Sequence, residues 1–118
     1  NNVTKEIIDF LSKKIKHAKK LGINNIIIDP GFGFGKSESH NYELLKNLRD
    51  LKKFNYPILV GLSRKSMIYK KLNTSPEFAL NGTTAVHAWA LERGAKILRV
   101  HDVNEINQSL KVFKELIK

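Results

Sequence analysis

Ile7, Ile8, Leu11, Ile15 and Ala18 recur at helical spacing, so they lie along one face of a helix. Asn2 or Thr4 can cap that helix, and Leu21-Gly22 ends it. The period then changes. Ile26-Ile27-Ile28 is a continuous β-branched run, the pattern of a strand over 26–29 buried on both faces, and it runs directly into Asp29-Pro30. Tyr42, Leu44, Leu45, Leu48 and Leu51 restore helical spacing. Pro57-Ile58-Leu59-Val60-Gly61-Leu62 predicts a second buried strand, with proline acceptable at its first position. A short helical piece over 67–72 leads to Ser75-Pro76, a cap followed by a proline suited to a first helical turn. The residues from Thr83 to Arg93 predict a helix that carries Val86, Trp89 and Ala90 to the core and stops at Gly94. Ile97-Leu98-Arg99-Val100 predicts a third strand, and a last helix runs from about Asn104 to Ile117.

Helix and strand therefore alternate along the chain, which argues for an α/β fold of parallel strands joined by helical crossovers. In such a fold all strand C-termini share one face. Polar residues cluster where each predicted strand ends: Asp29, then Ser63 with Lys65, then Arg99 with His101. They recur at intervals of roughly 35 residues, the length of one strand–helix unit. Three strands thus bring chemistry to one rim.

Composition narrows the function classes. A chain of 118 residues is the size of one domain. No apolar run approaches the ~18 residues of a membrane span, and no secretory leader pattern opens the chain, so the expectation is a cytoplasmic protein without a membrane partner. With no cysteine there is neither a disulfide framework nor a thiolate metal site. Lys and Arg number 21 against 11 acids, a formal charge of +10. That balance admits a basic nucleic-acid-binding module as an alternative class. The lysines are scattered and no arginine-rich block occurs, however, which favours a solvated surface and no nucleic-acid partner. The chain opens Asn1-Asn2 without methionine, as a piece of a longer protein would.

Candidate chemistry centres on Ile26-Ile27-Ile28-Asp29-Pro30-Gly31-Phe32-Gly33-Phe34-Gly35-Lys36. Gly35-Lys36-Ser37 resembles the end of a phosphate-binding P-loop, but Pro30 stands where that motif needs its first glycine. The dinucleotide pattern fails as well, because Lys36 and Glu38 occupy its third-glycine positions. Asp29 fits two roles: a cap of an Asp-Pro turn, or a carboxylate that accepts paired N–H bonds from the amino-pyrimidine edge of a heterocycle. Phe32 and Phe34 fit a hydrophobic clip or the wall of an aromatic ligand site. Lys65 and Arg99 together offer the point charge and planar fork that phosphate prefers. His101, two residues past Arg99, can donate to the same anion, or can simply bond loop backbone. His17, His40 and His87 lack metal-ligand spacing and read as structural or surface residues.

IIIDPGFGFGK, PILVGLSRKS and ILRVHDV, in this order, closely resemble the last three strand ends of the dihydropteroate synthase family, which has a TIM-barrel fold. The resemblance implies a partial TIM (β/α)8 barrel: the last three strand–helix units and the helix before them, over residues 1–118. It implies a transferase that joins 6-hydroxymethyl-7,8-dihydropterin diphosphate to 4-aminobenzoate, giving 7,8-dihydropteroate and diphosphate in folate biosynthesis. Asp29 would bind the pterin's amino and ring N–H edge, and Lys65 its polar edge beside Gly61. Arg99 would lie over the pterin and, with His101, hold the diphosphate. Lys65, Arg99 and His101 would be the catalytic cations. Ser63 and Phe34 would contact the aminobenzoate, and Lys36 would flank its carboxylate. Also implied are Mg2+ held by a part of the family's chain not present here, inhibition by sulfonamides, and a homodimer of the whole protein. The family's first five strands are missing, so full turnover is not expected of this chain. Other readings are a methyltetrahydrofolate-binding methyltransferase-type domain and a non-catalytic half-barrel that acts as an interaction partner.

Overall fold

The computed structural model describes residues 2–118. The first helix, α1 (Val3–Lys20), begins where Asn2 accepts the Lys5 N–H at 3.0 Å. It ends among His17, Lys19 and Lys20, cations that suit the negative end of the helix dipole. Thr4, the other candidate cap, is instead buried and accepts from the Asn47 amide at 3.3 Å. Helix α2 (Glu38–Lys46) is capped by Ser37, which accepts from His40 N–H at 3.2 Å. The helical period predicted through Leu51 holds, but Leu48–Phe54 is a tighter 3-10 turn, closed by Asn55 in a left-handed conformation. Strand β1 (Ile58–Val60), the short α3 (Ser66–Tyr69), a 3-10 turn at Pro76–Phe78, α4 (Leu80–Glu92), β2 (Ala95–Leu98) and α5 (Val103–Leu116) complete the order.

β1 and β2 run parallel, pairing Ile58 with Ala95, Leu59 with Ile97 and Val60 with Leu98. An irregularity after Ile58 skips Lys96, which keeps Ile97 opposite Leu59 and carries Arg99 N–H to the Val60 carbonyl at 3.0 Å. On the other side of β1 the predicted strand over 26–29 is only one parallel bridge, Ile28 to Ile58. It rests on Ile28 N–H to Pro57 O (2.9 Å) and Leu59 N–H to Ile28 O (2.7 Å). Pro30 has no N–H to extend the ladder, and Asp29 turns its carboxylate back on the loop. Burial on both faces is also corrected. Ile28 is 2% exposed beneath the helices, whereas Ile27 on the opposite face is 56% exposed. The apolar run marks a strand with one face packed and the other open.

One core joins Ile28, Phe32, Leu48, Ile58, Val60 and Leu62 under the helices. In α4 the buried positions are Thr83, His87 and Ala90, spaced as one helical face. His87 is therefore structural: Nε2 accepts Leu62 N–H at 3.4 Å, and Nδ1 donates to the Thr83 carbonyl at 2.8 Å. Trp89 is a correction, since it lies beside that face and is 41% exposed. Its indole donates to Leu45 O at 3.2 Å and stacks on the Arg93 guanidinium at 4.2 Å, so an amphipathic ring serves at the core's margin.

Candidate functional site

The parallel order puts the residues that follow Ile28, β1 and β2 on one rim. Asp29 makes two bonds there. Oδ1 accepts Gly31 N–H at 2.9 Å, the turn-capping role, and Oδ2 accepts from Arg99 Nη1 at 3.2 Å in a half-exposed ion pair. Gly61 makes that pairing possible. A Cβ on Gly61 would stand 2.5 Å from Arg99 Nη2 and 2.9 Å from its Cζ, so only a bare backbone lets the guanidinium lie across the end of β1.

Lys65 comes to the same place from the loop after β1. Its Nζ donates to the Phe32 carbonyl and stands 5.3 Å from the centroid of the Phe34 ring. Burial pushes the Lys65 ammonium below the usual lysine range. Arg99 and Lys36 add repulsion, and Asp29 opposes it. Lys36 folds back onto the glycine loop, donating to Gly31 O at 2.7 Å and Phe34 O at 3.4 Å. Burial lowers its pKa too, against the pull of Asp29. One carboxylate thus faces three cations, an arrangement with an unmatched positive field for an anion.

Ser63 and His101 meet beside it. Ser63 Oγ accepts the His101 backbone N–H at 3.2 Å and shares a second hydrogen bond with the ring Nδ1 at 2.9 Å. With the Ser63 O–H as donor in that second bond, Nε2 carries a proton that a ligand can accept. Gly61, Ser63, Lys65, Arg99, Val100 and His101 line a cleft of about 230 Å³. Asp29, Gly31, Phe34 and Lys36 line a neighbouring one of about 300 Å³, against Ile7 and Leu11 of α1. The Asp29–Arg99 pair joins the two. Phe32 and Phe34 divide the roles left open for them: Phe32 is a clip, 1% exposed in the core, and Phe34 stands 72% exposed at the cleft.

Sequence reasoning missed the groups that hold this rim. Asn41 of α2 accepts Gly33 N–H at 2.8 Å and so pins the glycine loop. Arg64 binds Asp102 through Nε and Nη2, both at 2.9 Å. The hydrogen bond from Arg64 holds the Asp102 carboxyl below its usual range, and the same bond raises Arg64. A pair formed across two loops leaves no periodic trace in the sequence; its only signal was that both residues sit inside the quoted motifs.

Residues 1–101 match the family model described as pterin binding enzyme. The chain is 45% identical over 115 residues to a dihydropteroate synthase of Haemophilus influenzae, a match spanning 96% of this chain and 42% of that protein. Two solved structures superpose closely. One is the dihydropteroate synthase of Xanthomonas albilineans in complex with 7,8-dihydropteroate, with a TM-score of 0.96, 40% identity and coverage of 98% of this chain and 47% of that one. The other is the Yersinia pestis enzyme in a sulfonamide drug complex, with a TM-score of 0.95, 39% identity and coverage of 98% and 43%. The chain spans less than half the length of each relative. With the family model matched over most of its length and the folds superposing almost end to end, the chain belongs to the pterin binding enzyme family.

Proposed function

We propose that this chain is the C-terminal portion of a dihydropteroate synthase, supplying the pterin- and diphosphate-binding rim of the reaction. The observation that carries the reading is the meeting of Asp29, Lys65 and Arg99, which follow three separate strand positions. Asp29 keeps free lone pairs on both oxygens for the amino and ring N–H groups of a pterin. Arg99 lies over the bare Gly61 backbone, and Lys65 offers its ammonium beside it. In the reaction the C–O bond between the pterin methylene and diphosphate breaks, and the diphosphate leaves with the bonding pair. The amine of 4-aminobenzoate forms the new C–N bond, and its proton passes to solvent. Lys65, Arg99 and the Nε2–H of His101 stabilise the departing charge, which is where electrostatic catalysis gains most. Ser63 holds the histidine ring through Nδ1, and Phe34 with Lys36 forms the side on which the aminobenzoate ring and carboxylate would lie.

The same reading puts these helices and strands in the last three strand–helix units of an eight-stranded barrel and the helix before them. The open Ile27 face and the parallel pairing accord with a barrel interior whose other strands lie outside this chain. Among the described residues no three histidines or carboxylates cluster to hold a metal. The residues present do not fit a resident Mg2+ site, and this reading puts the Mg2+ ligands in the part of the enzyme outside this chain. The whole protein is expected to be a cytoplasmic homodimer, which sedimentation of the full-length enzyme would check.

Titration calorimetry of this chain with a non-hydrolysable pterin diphosphate analogue tests the proposal. Saturable binding that inorganic diphosphate competes away is expected. Oligonucleotide binding that falls steeply with salt, without pterin binding, would contradict it. In a turnover assay with both substrates and Mg2+, the isolated chain is expected to be inactive; robust product formation would overturn its status as a portion of the enzyme.

A further inference from the structure

The loop after β1 alternates its side chains about a left-handed residue. Ser63 and Lys65 line the cleft, while Arg64, at φ 55, is absent from its lining. A positive φ in a residue with a Cβ is costly and is kept only where surrounding bonds hold it. Three sets of bonds hold Arg64. Its N–H donates to Thr83 Oγ1 at 3.0 Å, Nη1 donates to Pro76 O at 2.6 Å, and Nε with Nη2 forms the fork on Asp102. In the loop after β2, Arg99, Val100 and His101 all line the cleft, and the chain leaves it at Asp102. The two loops are therefore joined twice, by Ser63–His101 at the cleft and by Arg64–Asp102 behind it.

We infer that Arg64 and Asp102 are a positioning pair for the anion site, setting the spacing of Lys65 and Ser63 against Arg99 and His101 without touching the ligand. The inference rests on the functional reading above for the identity of the anion. A planar fork with two parallel bonds fixes both distance and rotation between loops, which a single ammonium cannot do. Were the fork broken, only the two bonds that converge on Ser63 Oγ would join these side chains, and bonds meeting at a single atom leave the loops free to pivot about it. The ammonium and guanidinium would then meet a diphosphate in a range of geometries, and misplacement of this kind is expensive for oriented ionic contacts.

Inorganic diphosphate is the probe, titrated into the wild-type chain, Arg64→Lys, Asp102→Asn and the Arg64→Lys/Asp102→Asn double variant. The ring nitrogen resonances of His101 are recorded for each without ligand. Each single variant is expected to weaken diphosphate binding roughly ten- to hundredfold, with the double variant no weaker than the worse single. The His101 resonances should shift from those of a ring held by Ser63 towards those of an averaged pair of tautomers. Thermal unfolding is followed in parallel, and affinities are compared where every variant is folded. A lowered melting temperature with unchanged His101 resonances and unchanged affinity would overturn the inference, leaving the pair as a fastening of the fold. Additive losses in the double variant would overturn it as well. If the wild-type chain bound no diphosphate, the functional reading would fail, and the His101 resonances of Asp102→Asn would still decide the positioning role.

Discussion

Single residues at this rim do work that their chemical type alone does not announce. Gly61 matters for what it lacks. A methyl there would displace the far end of the Arg99 side chain rather than any backbone. Gly61→Ala is therefore expected to melt close to the wild type while binding diphosphate at least tenfold more weakly, as an oriented contact is lost. Calorimetry and a thermal melt on one sample would show it, and retained affinity would contradict it. His87 is the opposite case, a titratable ring used as packing. Burial pushes its pKa down, with the Thr83 carbonyl opposing weakly, so the folded chain prefers the neutral ring. The unfolded chain then binds more protons as pH falls below the ordinary histidine value of about 6.5, and stability is lost over that range. Melts between neutral pH and pH 5 should show this loss, and it should flatten in His87→Gln. That variant should also sit lower at neutral pH, by about 1–3 kcal/mol, if Leu62 N–H is left without its acceptor.

Elements were legible from the sequence wherever periodicity alone decides them. The faces of α1 and α5, the apolar cores of β1 and β2, and the stop at Gly94 all follow from spacing and local breakers. Legibility failed where a local pattern met a tertiary one. The isoleucine run reads as a strand packed on both sides, but Asp29 and Pro30 cut its ladder to a single bridge, and the open face leaves Ile27 in solvent. Trp89 reads as core by type, yet Thr83 and His87 hold the buried face of α4 because their polar atoms are needed by the loop after β1. The glycine loop shows the same dependence on a distant group. Gly31, Gly33 and Gly35 adopt φ of 73, 88 and 64, and the bond from Gly33 N–H to Asn41 selects that shape among the many glycine allows. Asn41→Ala should cost roughly 0.5–1.5 kcal/mol and speed amide exchange at Gly33. An unchanged exchange rate would show that the loop holds its shape without α2.

At the scale of the molecule, the rim was foreseen because parallel order forces strand ends together. The pairs that hold it, Arg64–Asp102 and Gly33–Asn41, were not, because nothing local marks them. The assembled rim has two ends: a carboxylate with lone pairs to spare, and a cluster of cations whose charge Asp29 alone does not balance. Because the pKa of Lys65 is lowered, anion binding should weaken with rising pH before the usual lysine value of 10.5 is reached. Titration of diphosphate across pH 7 to 10 would reveal that loss, and Lys65→Arg should reduce it to the part that Lys36, lowered by burial as well, contributes.

The account's central claim is that one pocket grips a fused polar ring at Asp29 and its diphosphate at Lys65 and Arg99. The most direct measurement is the affinity of wild type and Asp29→Asn for three ligands: inorganic diphosphate, a pterin without phosphates, and the pterin diphosphate analogue. The prediction is that the intact analogue binds more tightly than either half, and that Asp29→Asn loses the pterin and the analogue while diphosphate binds nearly as before. Equal affinity of wild type and Asp29→Asn for the pterin would contradict the claim.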